Sequence, residues 1–265
     1  TLAASLAAQT LAAGRSVGLL CDDGRRRVGQ PAGGTHQLWQ ILNTLVDYIN
    51  NAEISIDIAA FEFNLTEVAE ALIAAHNRGV RVRWVTDDEH GLVADEEKDG
   101  RGQFAMIMAA GIPVKDDARS GLMHNKFIIF DGQIGWTGST SITQNGVFRN
   151  NNNVIVIASR QLARIYEREF LEMWDDGQFG VTSPSTVDQQ FVTIAGTEIQ
   201  VMFASEDRVM DFLVDIVSEA EQSIRFMAFS FTYVPLGDAM RERFQAGVDV
   251  SGIFELRASE TQYSE

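Results

Sequence analysis

The chain has 265 residues, 45% hydrophobic and 22% charged, with a formal net charge of −16. That size and balance support one to two packed domains and exclude a disordered chain, a coiled coil and a fibre. One cysteine, Cys21, excludes an internal disulfide framework and a cysteine-clustered zinc site. The negative charge argues against duplex binding or membrane-surface attraction driven by overall charge, and leaves room for a local basic pocket.

No run of about 18 apolar residues is present, so no integral membrane segment is expected. The chain starts with Thr1 rather than Met, which reads as a processed or trimmed start. Residues 1–14 are Ala-rich without a charged leader, and read as a helical arm or the remnant behind a removed signal. The compartment stays open, with a secreted or periplasmic protein as one expectation.

After an arm over 1–35, the spacing of Leu38, Ile41, Leu42, Leu45 and Ile49 predicts a helix over 36–52. Residues 54–63 read as a strand, and Thr66 as the cap of a helix ending near Arg78-Gly79. Residues 80–86 alternate as a strand and run into Asp87-Asp88-Glu89-His90, read as a solvated loop rather than a metal site. Residues 92–103 read as exposed loop, 104–110 as a short helix and 112–114 as a strand. Phe127–Phe130 is apolar on both faces, the mark of a central strand. Asp131-Gly132 reads as a hairpin turn into 133–137, followed by a strand at 153–158 and an amphipathic helix at 160–174. Alternating strands and helices make the class α/β.

Residues 177–197, with Gly177, Gly180 and Pro184, read as a linker between a first unit, 36–176, and a second, 198–265. The second unit repeats the first. Ala220–Ile224 answers Ala52–Ile56, Ala228–Phe231 answers Ala60–Phe63, and Gly247–Val250 answers Gly79–Val82. The offset is 168 throughout, without a gap, which points to an internal repeat. The counterpart of residues 98–160 would lie beyond Glu265, so the second repeat reads as truncated.

The densest set of reactive residues is 123–143, MHNKFIIFDGQIGWTGSTSIT. His124 and Lys126 stand two apart, so on a strand they share a face. An imidazole beside an ammonium suits an anionic group: lysine neutralises phosphate oxygens, and histidine attacks phosphorus or shuttles a proton near neutral pH. Asp131 follows Lys126 after four residues, where it serves either as a plain turn residue or as an orienting carboxylate. Gly138-Ser139 follows after six more; glycine allows close backbone approach and Ser139 can donate to an anion.

His-x-Lys, four residues, Asp, six residues, Gly-Ser resembles the signature of the phospholipase D superfamily, with every fixed position present. The resemblance implies a mixed sheet flanked by helices, in two pseudo-twofold repeats, and phosphodiester cleavage or transfer without a required cofactor or metal. It implies His124 as nucleophile or acid through a phosphohistidine, Lys126 and Ser139 as phosphate ligands, and Asp131 as a catalytic-motif carboxylate. It also implies that a second such motif completes the site. Adding the repeat offset to 124 gives 292, so that motif would come from a C-terminal part beyond Glu265 or from another chain. Two departures stand out. Ser141 replaces an Asn common after the Gly-Ser, and Asn152 replaces an acid that orients the histidine in many small members; both are candidate phosphate-binding residues. The substrate is a nucleic acid or a phospholipid, with the flanks closer to nuclease-like members and Lys115, Arg119, Lys126 and Arg149 as candidate basic contacts. Alternatives are a phosphatidyl transferase and a non-catalytic phosphate-binding relative. Trp136 reads as packing, with lining of a substrate channel as the alternative; Phe61, Phe63, Phe229 and Phe231 read as core first, with the odd face of their strands able to reach the cleft.

Overall fold

The computed structural model describes residues 19–22, 27–28, 35–185, 190–194, 196–204, 206–256 and 260. The expected helical arm at 1–14 lies outside them. The chain divides after Val201 into two compact units.

The first unit is built on an eight-stranded mixed sheet. In chain order its strands and helices are β1 (Leu19–Asp22), β2 (Arg27–Val28), α1 (Thr35–Asn51), β3 (Ser55–Ala60), α2 (Thr66–Asn77) and β4 (Arg81–Thr86). They continue with α3 (Ala94–Glu97), α4 (Gln103–Ala109), β5 (Val114–Asp116), β6 (Lys126–Phe130) and β7 (Ile134–Gly138). Last come α5 (Gln144–Phe148), β8 (Val154–Ala158), α6 (Arg160–Trp174) and a hairpin of β9 (Phe191–Ile194) and β10 (Thr197–Gln200). The sheet order is β2-β1-β8-β7-β6-β3-β4-β5. The pairs β3–β4, β4–β5 and β1–β8 are parallel, whereas β6 is antiparallel to both β3 and β7.

One face of this sheet carries α1, α2, α4 and α5. Ile41, Leu42, Leu45 and Ile49 of α1, Leu72 of α2 and Phe104 of α4 bury themselves against Ile56, Ile58, Trp84, Ile128 and Phe130. Each fully buried side chain of this size contributes about 1.5–3 kcal/mol. Trp136 belongs to the same core, as expected. The other face carries α6, where the Tyr166 ring meets Phe127 at 5.0 Å and Leu162 lies over Gly135. Between sheet and helix Asp57 is 1% exposed, held by Arg83 at 2.7 Å and Arg81 at 3.3 Å. Arg83 in turn lies over the Phe170 and Trp174 rings. With both faces covered, every residue of β3 is buried, and an apolar run there is what a central strand requires.

Several expectations change. Leu65, not Thr66, is the N-cap of α2; the Thr66 hydroxyl instead accepts from Gln103. Residues 92–103 are not bare loop: a wide helical turn over Asp88–Val93 leads into α3, whose Asp95 accepts from the backbone of Gly102, Phe104 and Ala105. The stretch read as a linker, 177–197, carries β9 and the first residue of β10. The helix at 160–174 has the expected bounds, because the Ser159 hydroxyl accepts from the Leu162 N–H at its start.

The second unit contains α7 (Val209–Ser218), β11 (Ser223–Ala228), α8 (Val234–Gln245) and β12 (Asp249–Phe254), with β11 parallel to β12. Its strand and helix bounds sit 168 residues after those of β3, α2 and β4. The pairing repeats with them: Ser55 faces Arg81 and Ser223 faces Asp249. So do the helix ends, since Gly79 and Gly247 both have φ of 95° and donate to His76 and Phe244. Phe231 stacks on Phe226, but Phe229 is 77% exposed and is not core, because a two-stranded sheet is too narrow to bury both faces.

Two positions of the β6–β7 hairpin are fixed by geometry. Asp131 and Gly132 both have positive φ, 54° and 61°, the twist a tight hairpin needs. The Asp131 carboxylate then accepts from the N–H groups of Glu53, Ile54 and Ser55 at 2.7–3.2 Å, tying the turn to the start of β3. At the other end of β7, Gly138 has φ of 149°, and a Cβ there would fall 2.2 Å from the Asn153 carbonyl oxygen. D131A is expected to cost about 1–3 kcal/mol by stranding those donors. G138A is expected to cost at least about 2 kcal/mol through strain and overlap. Chemical denaturation midpoints of the two variants check both.

Candidate active site

The strand directions bring five chain segments to one end of the sheet. These are the C-terminal ends of β3, β4 and β7 and the entries to β6 and β8. Register places them closely. Ala60 pairs with Lys126, the Phe61 N–H donates to the Asn125 carbonyl, and Phe127 pairs with Thr137, so Lys126 stands opposite Gly138.

His124 and Lys126 lie side by side. The Lys126 ammonium donates to the His124 carbonyl at 2.9 Å and sits 5.3 Å from the centre of the Phe61 ring. The His124 ring meets the same phenyl ring edge-on at 4.7 Å. Loss of water around Lys126 lowers its pKa to about 8, against a partial pull upward from Glu62. Desolvation first, and then the Lys126 charge, lowers the His124 pKa, while Glu62 and Asp87 oppose the shift. Near neutral pH this favours an unprotonated imidazole beside a charged ammonium, the pair that attack on a phosphoryl group needs.

Asp87 organises the histidine strand. It is 1% exposed, so the acidic run is not simply a solvated loop. One carboxylate oxygen accepts from the His90 N–H at 2.8 Å and faces its Nδ1 at 3.1 Å; the other accepts from the Met123 N–H at 3.0 Å. A single buried carboxylate thus fixes the backbone next to His124 and the His90 ring, which stacks on Phe61 at 4.8 Å. Asp87, Asp88 and Asp117 bring carboxylate oxygens within 4.8 Å of one another. Asp117 accepts from the Asp88 N–H and pairs with Arg119, and burial raises its pKa. The cluster is a strut between loops, with both oxygens of Asp87 and of Asp117 engaged.

Ser139 and Asn152 meet at the neighbouring strand ends. The Ser139 hydroxyl donates to the Asn152 side-chain oxygen and accepts from the Asn153 N–H, both at 3.0 Å. The Asn152 amide donates to the Gly146 carbonyl at 2.9 Å, so its polar atoms hold the loop. Ser141 is half-buried in the same loop, its carbonyl accepting from Thr143. Asp131 is the residue the structure separates from the others. It lies at the far end of β6, five residues of extended chain or about 17 Å from Lys126, which corrects its placement among the catalytic groups. Of the expected basic contacts, Lys115 donates to the Trp174 carbonyl and lies over its ring, Arg119 pairs with Asp117, and Arg149 donates to Asn145.

Of three further groups at this end, the sequence reads Phe61 as core first and His90 as part of a solvated loop, and does not single out Glu62. Phe61, assigned to the core, is the platform for two histidines and a lysine. His90 and Glu62 sit on loops just past strand ends, where alternation no longer marks the facing. The strand-end rule for α/β clefts was the available signal.

Among the described residues no helix is long and apolar enough to cross a membrane. Residues 45–174 match the family model described as a cardiolipin synthase, phospholipase D-like domain. The mitochondrial cardiolipin hydrolase of Xenopus tropicalis is 31% identical over 125 residues, which covers 47% of this chain and 57% of that protein. The chain therefore spans a little over half the length of that relative. The phospholipase D family member Nuc from Salmonella typhimurium is 27% identical with a TM-score of 0.47, covering 51% of this chain and 86% of that one. A polyphosphate kinase from Porphyromonas gingivalis shares the fold alone, at 12% identity and a TM-score of 0.57, over 86% of this chain and 38% of that one. The complete His-x-Lys…Asp…Gly-Ser signature lies within the matched residues 45–174, so this part of the chain is similar to phospholipase D-like domains.

Proposed function

We propose that the chain is a phosphodiester hydrolase of the phospholipase D type, with His124 as nucleophile and Lys126 as the phosphoryl-oxygen ligand. The observation that carries this reading is the pair itself, a depressed imidazole and an ammonium held over one phenyl ring at a sheet end. A His124 ring nitrogen attacks phosphorus, the bond to the leaving oxygen breaks, and a second acid protonates that oxygen. Water then attacks phosphorus, the phosphorus–nitrogen bond breaks, and the water proton returns to the second group. Lys126 and the Ser139 loop hold the phosphoryl oxygens.

The second acid comes from a second His-x-Lys motif, downstream in the same protein or in another copy. Support lies in the second unit, which repeats β3, α2 and β4 with an unbroken register and so reads as the front of a second repeat.

A phospholipid diester is the favoured substrate over nucleic acid. Lys115 and Arg119 are engaged within the fold and do not extend the Lys126 focus into a track for a polyanion. The name of the Xenopus tropicalis relative, a cardiolipin hydrolase, points the same way, and its mitochondrial label speaks against carrying over a secreted or periplasmic location.

Hydrolysis of phosphatidyl lipids, single-stranded DNA, RNA and bis(p-nitrophenyl) phosphate, measured with EDTA present, checks the assignment. H124A is expected to lose at least about 10³-fold in kcat/KM on the best substrate. Full activity of H124A would exclude the mechanism. A steep fall of affinity with salt would favour nucleic acid over lipid. In a pH–rate profile, kcat/KM is expected to fall as pH rises through about 8, because Lys126 loses its charge there rather than near the ordinary lysine value of 10.5.

A further inference from the structure

Glu62 follows β3 by two residues. The β3–β6 register runs one hydrogen bond past the strand end, Phe61 N–H to Asn125 carbonyl at 3.2 Å. Beyond it the chain leaves the ladder, and Glu62 follows Phe61, whose ring contacts both His124 and Lys126. The carboxylate is held in place: Oε2 accepts from Arg101 at 2.8 Å, and Arg101 is itself fixed by donating to the Phe63 carbonyl at 3.1 Å. The Arg101 side chain is 13% exposed and the Glu62 side chain 26%, so the pair is largely shielded and its field weakly screened. Among the described residues the second oxygen, Oε1, makes no hydrogen bond. Asn152, at the position the motif comparison marks for orienting the histidine, has its amide spent on Ser139 and Gly146.

We propose that Glu62, anchored by Arg101, is the positioning residue for His124 and Lys126, the carboxylate that balances their charge as the imidazole is phosphorylated. The inference rests on the phosphodiesterase reading above. Its physical content is that an N-phosphorylated imidazole carries positive charge next to an ammonium, and a fixed carboxylate nearby offsets that repulsion. The charged groups facing His124 are Lys126 on its own strand, Glu62 beyond β3, and Asp87 and His90 in the loop after β4; Asp87 is already shared between His90 and the Met123 N–H. The electrostatics agree in direction, since Glu62 raises the pKa of both His124 and Lys126.

The test uses E62Q, which keeps a hydrogen-bond acceptor for Arg101 and removes the charge, with E62D as the charge-retaining variant. The His124 ring is titrated by NMR in the folded proteins; the chain has four histidines, and H124A assigns the signal. In E62Q the His124 titration is expected to move to lower pH, the alkaline limb of kcat/KM to move with Lys126 to lower pH, and kcat to fall about tenfold with KM little changed. E62D is expected to titrate close to the parent. A folded E62Q whose His124 titration and kcat match the parent overturns the proposal, as does one that loses only stability. The titration needs no turnover, so it decides the point even if the parent hydrolyses nothing in the substrate panel. That separate outcome would overturn the phosphodiesterase reading instead.

Discussion

The antiparallel pairing of β3 with β6 is the constraint on which the site depends. At one end of this pair the Asp131 carboxylate collects three N–H groups from the start of β3. At the other end the same pairing delivers His124 and Lys126 to Phe61 and Glu62. A slip of one residue would turn every side chain of β6 to the opposite face. Asp131 resists that slip by binding backbone rather than side chain, which makes the lock independent of what the neighbouring residues are. The signature spacing then has a mechanical meaning. Four residues carry the chain down β6, the turn sits at Asp131, and the return along β7 brings Gly138-Ser139 back beside Lys126. The close approach of Gly138 to Asn153 lets β8 join at the same end.

Around this frame the site sets its own charge. The chain as a whole is strongly acidic, yet the pKa of Lys126 is lowered because its immediate surroundings are apolar and poorly hydrated. Phe61 supplies much of that surface, and its ring face still attracts a cation. Carboxylates stand one residue further out. Asp87 is committed to the loop geometry, and Glu62 is anchored by Arg101. The balance leaves the lysine charged and the histidine neutral near pH 7.

Much of this was legible in the sequence. Periodicity located α6, β6 and the hairpin, and the motif spacing named His124, Lys126 and Ser139. The misses share a cause. Asp131 carries a motif role in sequence, but only the three-dimensional turn shows that its oxygens face the amides of Glu53, Ile54 and Ser55. Asp87 looked like part of a solvated acidic run because hydropathy cannot report a buried carboxylate that is paid for by backbone donors. Phe61 and Glu62 lie where β3 ends, and alternation fails as soon as the strand bends. The helical turn at 88–93 and α5 are too short to show a period.

The second unit shows which features of this design are backbone and which are chemistry. Helix bounds, the φ of the closing glycine and the strand register recur at the offset of 168. Side chains do not simply repeat: Ser230 stands at the place of Glu62. The cross-strand ion pair is the telling case. In the first unit Asp57 of β3 meets Arg81 of β4; in the second, Arg225 of β11 meets Asp249 of β12. The two charges have changed places while the pair is kept. Neither residue identity nor sign is retained, so what the parallel strand pair requires here is opposite charge at a fixed separation. A sequence comparison scoring residue identity would count both positions as differences, whereas the register shows them as one interaction preserved.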